Sequence, residues 1–314
     1  MPTTLNVESL RGVWVDMLVP LQENLAIDQA KLAGHARNLS AKGLENFVLF
    51  GQGGEGFAFS GEEKLSALTH LLSSGVDAKN IMLGIQSSSF IETAEQLRKA
   101  HEQGIRQFLI APPQPYGQSF SHTALAHYFQ ELIKRVNLND WRLFIHQLGG
   151  TSRDAELSEM ALVDLKKSHP QTFAGIVDQD VHVNHTVELM RSFGSDRVVV
   201  PCHEPNLLVL KSKVCVSMLA NILPITVHNI TTKEFVNSAT KIAGMKEAKP
   251  DDRVNELMSI IGDNPSIASL KLFLSIHYRM DGWEGVRPPQ SELSKEARQN
   301  LMVRFKTFNL QVHE

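Results

Sequence analysis

Phe173-Ala174-Gly175-Ile176-Val177-Asp178-Gln179-Asp180 is a short apolar run that stops at an acidic cluster. Its length and its Ile and Val content are those of a buried strand, and Asp178 marks where the strand ends. Working outward, comparable runs occupy residues 12–18, 46–50, 81–85, 107–110 and 142–146 before it, and 197–200 and 214–218 after it. Stretches with helical periodicity separate them. Strands that alternate with helices predict a parallel sheet, and eight is the number that closes a (β/α)8 TIM barrel. A doubly wound sheet normally has fewer strands and ranks second.

The intervening helices carry their own boundary signals. Ser60 with Glu63 has the spacing of a capping box, and Leu65, Leu68 and Leu72 follow on one face. Ser89 with Glu92 repeats the device, Ile91, Ala94 and Leu97 are the apolar positions, and Gly104 stands where a C-terminal cap belongs. Leu125, Phe129 and Leu132 form a stripe read as core. After the eighth run, Pro224 opens a region without strand signals. Helices are expected at 233–246, 251–261, 267–278 and 291–308, so the barrel should span residues 1–235 and a C-terminal helical extension 236–314.

Composition narrows the function classes. The 314 residues are 42% hydrophobic, enough for a large core, and the formal net charge is −3. With 31 Lys+Arg against 34 Asp+Glu there is no basic excess, which argues against nucleic acid or an anionic membrane as partner. Two cysteines, Cys202 and Cys215, make no disulfide framework and favour a reducing compartment. No basic leader and no run of about 18 apolar residues is present, so a soluble, cytoplasmic protein is expected.

Several dispersed motifs then point one way. Gly51-Gln52-Gly53-Gly54-Glu55-Gly56 follows the second strand, with Ser60 and Glu62-Glu63-Lys64 behind it. Ala111-Pro112-Pro113 follows the fourth strand, and Ser217-Met218-Leu219-Ala220-Asn221 ends the eighth. Pro265-Ser266, Lys271 and Val286-Arg287-Pro288-Pro289 lie in the C-terminal region. In order and spacing this set resembles the dihydrodipicolinate synthase / N-acetylneuraminate lyase family, whose counterparts read G-T-T-G-E, V-P-P, S-x-x-A-N and V-R-P-P.

The resemblance implies a (β/α)8 barrel and lyase chemistry, but it also implies that the usual active groups are gone. The family's strand-six segment reads G-I-K-D, and its lysine forms a Schiff base with a 2-oxo acid. Here that position is Val177, which has no amine. The two hydroxyl residues that bind substrate carboxylate and relay protons are replaced by Gln52 and Gly53, although their backbone N–H groups could form an anion-binding nest. The strand-five tyrosine falls at His146. The arginine after it falls at Thr151, with Arg153 as a nearby substitute, and a strand-four tyrosine falls near Pro115, beside Tyr116.

Sites of such barrels lie at the C-terminal ends of the strands, where Gln52, Glu55, Gln86, His146, Gln147, Asp178, Asp180, His203 and Glu204 would gather. His146, working with Asp178 or His203, is the expected acid–base group, since an unperturbed histidine titrates near ~6.5. Gln52, Gly53, Glu55, Gln147, Val177 and Asn221 are the expected substrate-binding positions, with loop bracing as the other role for Glu55. His182 and His185 start a helix, and no dedicated ligand spacing occurs, so neither metal nor cofactor is expected. Cys202 and His203 are adjacent and point opposite ways, and Lys211 and Lys213 belong to the far face of the barrel, so none of these is expected to act as nucleophile. Two readings follow. In one the protein is a lyase- or hydratase-type enzyme acting on a small oxygenated carboxylate without an imine; in the other it is a non-catalytic relative that binds a metabolite or a partner. The family also implies a homodimer or homotetramer.

Overall fold

The computed structural model describes residues 10–113, 120–149, 157–193, 197–210, 212, 214–232, 252–278 and 282–308. All eight expected strands form: β1 (Gly12–Asp16), β2 (Asn46–Leu49), β3 (Ile81–Ile85), β4 (Gln107–Ile110), β5 (Arg142–Gln147), β6 (Phe173–Asp178), β7 (Val198–Pro201) and β8 (Val214–Ser217). They make one parallel sheet in the order β7-β6-β5-β4-β3-β2-β1-β8. Pairing of Gly12 to Val15 with Val214 to Ser217 joins the first strand to the last. β7 and β8 then lie side by side, and the barrel is nearly closed.

Alternation along the strands separates two apolar layers. Trp14, Val48, Met82, Leu109, Phe144 and Val216 fill the barrel interior as one buried cluster. Their neighbours Val15, Phe47, Leu83, Phe108, Ile145 and Cys215 face outward into a second cluster shared with the helices. The interior is therefore packed, not a pore.

One irregularity sets which residues of β6 face inward. Leu143 pairs with Phe173, but Phe144 pairs with Gly175, so Ala174 is an extra residue in the ladder. Ala174 and Val177 both lie in the interior cluster, three residues apart, while Ile176 packs outside. Without the shift, strict alternation from Ala174 would have turned Ile176 and Asp178 inward. Gly175 permits the close approach to β7, since a Cβ there would collide with the Val198 carbonyl.

Helices α1 (Gln29–Ala41), α2 (Gly61–Ser73), α3 (Phe90–Glu102), α4 (His122–Val136), α5 (Glu159–Ser168), α6 (Val183–Phe193) and α7 (Glu204–Leu210) connect the strands. The capping box at Ser60 is complete, with Glu63 answering the Ser60 backbone. At Ser89 only half of it forms: Ser89 accepts from the Glu92 amide, whereas the Glu92 carboxylate takes the Ser87 hydroxyl. Gly104 adopts φ +97° just past α3, a conformation that favours glycine.

Beyond β8 come α8 (Pro224–Thr232), α9 (Asp252–Ile261), α10 (Ser266–His277) and α11 (Lys295–Thr307). The helix expected at 233–246 and the boundary after residue 235 lie outside the described residues. α10 is buried from Ile267 to Leu274 and packs on α11, so it serves as the centre of the C-terminal helices. Among the described residues no helix is long and apolar enough to cross a membrane.

Candidate active site at the C-terminal end of the barrel

Asp16 ends β1 on the same face as Trp14, two residues before it, and is 1% exposed. Sequence reasoning left it unremarked inside the run 12–18. The available signal was an acid inside a strand otherwise reading Gly-Val-Trp-Val. Its Oδ2 accepts a 2.8 Å hydrogen bond from the Gly53 amide, and the Gly54 amide also stabilises its charge. Burial outweighs both bonds and lifts the Asp16 pKa to about 7. Oδ1 has no partner among the described residues.

The loop after β2 is shaped around this carboxylate. A Cβ at Gly51 would collide with Asp16 Oδ1, and one at Gly53 would stand 2.9 Å from Met218 Cγ and 3.1 Å from Asp16 Cγ. Of the two amides expected to form an anion-binding nest, Gln52 and Gly53, that of Gly53 is taken by the protein's own Asp16, with Gly54 beside it. Gln52, expected to bind substrate, is exposed at the loop surface.

His146 lies on the inner face of β5, two residues beyond Phe144, and is 1% exposed. Neither ring nitrogen makes a well-aligned hydrogen bond among the described residues, and the Gln179 side chain is the polar group placed to bond the ring. Burial lowers its pKa to about 4, against the opposing influence of the Gln179 side chain and the Asp178 charge, so the ring is neutral at pH ~7. Gln179 Oε1 likewise makes no well-aligned hydrogen bond among the described residues. Gln86, one residue past β3, is buried with both amide atoms unpaired, and its Oε1 would meet a Cβ at Gly56 at 2.5 Å. Val177 lies fully buried in the interior cluster. Among the described residues, most of the buried polar atoms without a well-aligned partner therefore collect at this end of the barrel, on Asp16, Gln86, His146, Gln179 and His203. Buried polar groups are normally paired, so such a collection marks a place for ligand or water.

The other expected site residues have their groups engaged elsewhere. Asp178 faces α6 because of the β6 irregularity: its Oδ2 accepts from Thr186 Oγ1 at 2.6 Å, and His185 Nδ1 is 3.3 Å from Oδ1. Gln147 uses both ends of its amide on the Leu157 backbone, at 2.9 and 3.1 Å. Asn221 accepts from the Leu18 amide and pairs with His35 Nε2, and it donates to the carbonyls of Asp16 and Met218. Glu55 grips Lys271 with one oxygen and the Arg287 amide, at 2.7 Å, with the other. Each of these braces a loop. His203 is half-buried, and its carbonyl accepts from Asn206 and Leu207 at the start of α7.

Glu204 adds a further carboxylate, which accepts from Ser217 Oγ and from the Met218 and Leu219 amides. Desolvation raises its pKa to about 7, and the nearby charge of Asp16 pushes the same way. Cys202 packs against the interior cluster. Burial, then Asp16, Glu204 and Asp178, drive its thiol pKa well up, which removes it as a thiolate nucleophile. Asp180 is buried, and its Oδ1 accepts from the His182 amide at 2.7 Å. Among the described residues no three His, Cys, Asp or Glu side chains converge as a metal set, and the only buried lysine or arginine side chains are Lys64 and Lys271. Buried Lys64 and Lys271 stand outside the barrel interior, Lys64 by the Phe50 ring and Lys271 on Glu55. Pro115, Tyr116, Thr151 and Arg153 lie outside the described residues, and so do Lys211 and Lys213.

Known proteins share this architecture throughout. An uncharacterized DapA-like lyase of Thermococcus onnurineus is 24% identical over 289 residues, which is 88% of this chain and 95% of that protein. The dihydrodipicolinate synthase of Agrobacterium tumefaciens superposes with a TM-score of 0.81 at 22% identity, covering 95% of this chain and 99% of that one. A catalytic lysine mutant of the Ruminococcus gnavus sialic acid aldolase superposes with a TM-score of 0.76 at 16% identity, covering 97% and 99%. The model of the dihydrodipicolinate synthetase family matches residues 9–307. With that match spanning a barrel of the same build, the chain belongs to the dihydrodipicolinate synthetase family.

Proposed function

We propose that this protein is a lyase-type enzyme that works on a small oxygenated substrate at the C-terminal mouth of the barrel without forming a lysine imine. The observation that carries the reading is that Asp16, with Oδ1 unsatisfied, and buried His146 both lie at the barrel end where Val177 is an inward residue of β6. The sialic acid aldolase relative is described by its catalytic lysine; a valine at the inward position offers no amine to a carbonyl.

Chemistry without an imine needs a proton acceptor, a proton donor and a hydrogen bond to the developing enolate oxygen. Asp16, with a pKa of about 7, is partly protonated near neutrality, so it can give or take a proton there. Neutral His146 can accept a proton, and the unpaired Gln86 amide can donate to an oxygen. In a retro-aldol step a substrate hydroxyl loses its proton to the base as the C–C bond breaks. A carbonyl forms on that carbon, and the bonding pair passes to the other fragment as an enolate, which the acid then protonates. Loss of water across a C–C bond uses the same two groups, with the proton delivered to the departing hydroxyl.

The test is turnover. Hydroxy and 2-oxo carboxylates and their neutral analogues are incubated with the protein and followed by mass spectrometry. Asp16→Asn and His146→Phe should abolish any cleavage or dehydration while leaving the melting transition cooperative. Borohydride with pyruvate should leave every peptide unmodified, and an adduct on a barrel lysine would sink the imine-free reading. Saturable binding without turnover would instead place the chain among non-catalytic relatives.

A further inference from the structure

We propose that Asp16 turns the backbone nest at Gly53–Gly54 into a subsite for a hydrogen-bond donor, a substrate hydroxyl or ammonium group, and bars a carboxylate from it. The inference rests on the site reading above and adds the class of group that the site accepts.

Three observations support it independently. The Gly53 amide, which would otherwise face an incoming anion, is spent on Asp16 Oδ2 at 2.8 Å, and Gly54 serves the same carboxylate. The space is also taken: a Cβ at Gly51 would run into Asp16, and one at Gly53 would collide with Met218 and press on Asp16, so loop and carboxylate fit each other as a set. Finally, Oδ1 remains buried and unpartnered, with buried His146 and Gln86 at the same barrel end. An ionised carboxylate oxygen is an acceptor only, so the group that satisfies it must donate.

The surroundings favour the same choice. Asp16, Glu204 and Asp178 all act on the Cys202 thiol, so that end of the barrel carries several carboxylates. Among the described residues the only buried lysine or arginine side chains are Lys64, by the Phe50 ring, and Lys271, already committed to Glu55, so no buried cation is left to offset a further anion at the mouth. Like charges brought together without a counter-ion disfavour binding, whereas an ammonium or hydroxyl meets complementary potential.

Hydroxyacetone and pyruvate test this, because they differ in a hydroxymethyl group against a carboxylate on the same acetyl fragment. Their dissociation constants would be measured by ligand-observed NMR on the full chain at pH ~8, above the Asp16 pKa of about 7. The wild type should prefer hydroxyacetone, and Asp16→Ala, which empties the nest, should shift the preference toward pyruvate by about tenfold or more. Asp16→Asn keeps the shape without the charge. It should shift the preference in the same direction and serves if the alanine variant fails to melt cooperatively. A wild type that prefers pyruvate, or variants that bind pyruvate no better than the wild type does, would overturn the proposal. Gain of pyruvate binding by the variants supports it even if the wild type turns nothing over, so its fate is separable from that of the lyase reading.

Discussion

Two buried carboxylates hold the loop after β2 from opposite sides, and they are treated differently. Glu55, 2% exposed, faces the C-terminal helices, where Lys271 takes one oxygen and the Arg287 amide the other. Lys271 is in turn satisfied by the Gly285 carbonyl at 2.7 Å. Asp16, 1% exposed, faces the barrel mouth with one oxygen bonded to the loop and the other unpaired. Burial therefore is not what separates the two carboxylates. What distinguishes them is whether the hydrogen-bonding capacity is exhausted inside the protein.

The contrast can be broken from the braced side first, where the largest effect is expected. Lys271→Met strands the Glu55 charge in the interior and should cost about 3–5 kcal/mol in urea unfolding. A Glu55→Gln, Lys271→Met double variant should recover part of that loss. If the single variant unfolded like the wild type, Glu55 would not be the brace that its contacts imply.

At Asp16 the sign reverses. The Asp16 pKa is about 7 in the fold against 3.8 for a free side chain. Between these values the unfolded chain has released this proton and the fold has kept it, so this group lowers stability as pH rises, and the loss is complete above pH ~7. Asp16→Asn removes the term. The variant should match the wild type near pH ~4 and exceed it by up to about 4 kcal/mol at pH ~8, the ceiling set by roughly three pKa units. His146 acts in the opposite direction: its pKa of about 4, below the free value of 6.5, makes stability fall as pH drops across that window. Comparing variant with wild type cancels that contribution. A variant less stable than the wild type at pH ~8 would show that Asp16 is structural.

The smallest effects come from two buried glutamines. Gln147→Ala, which loses both bonds to Leu157, should destabilise by about 1–2 kcal/mol. Gln86→Leu removes an amide with no partner among the described residues and should be neutral or stabilising by about 1 kcal/mol. Equal losses in thermal melts of the two variants would erase the distinction.

The barrel was legible in the residues because many positions carry the same information: all eight runs became strands, ending within two residues of the expected bounds. The site depends on a few atoms whose orientation is set by distant partners. Asp16 meets an amide 37 residues away, and nothing near it in the chain announces Gly53. Asp178 and Val177 were both expected in the site, yet neighbours on a strand cannot share a face. The extra residue at Ala174 turned Val177 inward, and Gly175 within the strand is the local mark of that irregularity. The inward aim of His146 was legible because it follows from alternation with Phe144, whereas the engagement of Gln147, Asn221 and Glu55 depends on contacts made only when the chain is folded.

The grip on Glu55 also sets an order of events during synthesis. Arg287 pairs with Glu63, donates to the Ala58 carbonyl and lies 4.3 Å above the Phe59 ring, while Lys271 holds Glu55 from 216 residues further along. At translation rates of about 5–20 residues per second, the first two strands leave the ribosome roughly 10–40 s before the residues that clamp their loop. Through that interval Glu55 has no cation, and the glycine-rich turn beside Asp16 has no outer support. A chain cut short before Lys271 would carry every inward-facing group of the barrel mouth, yet lack the buckle that holds the turn around Asp16.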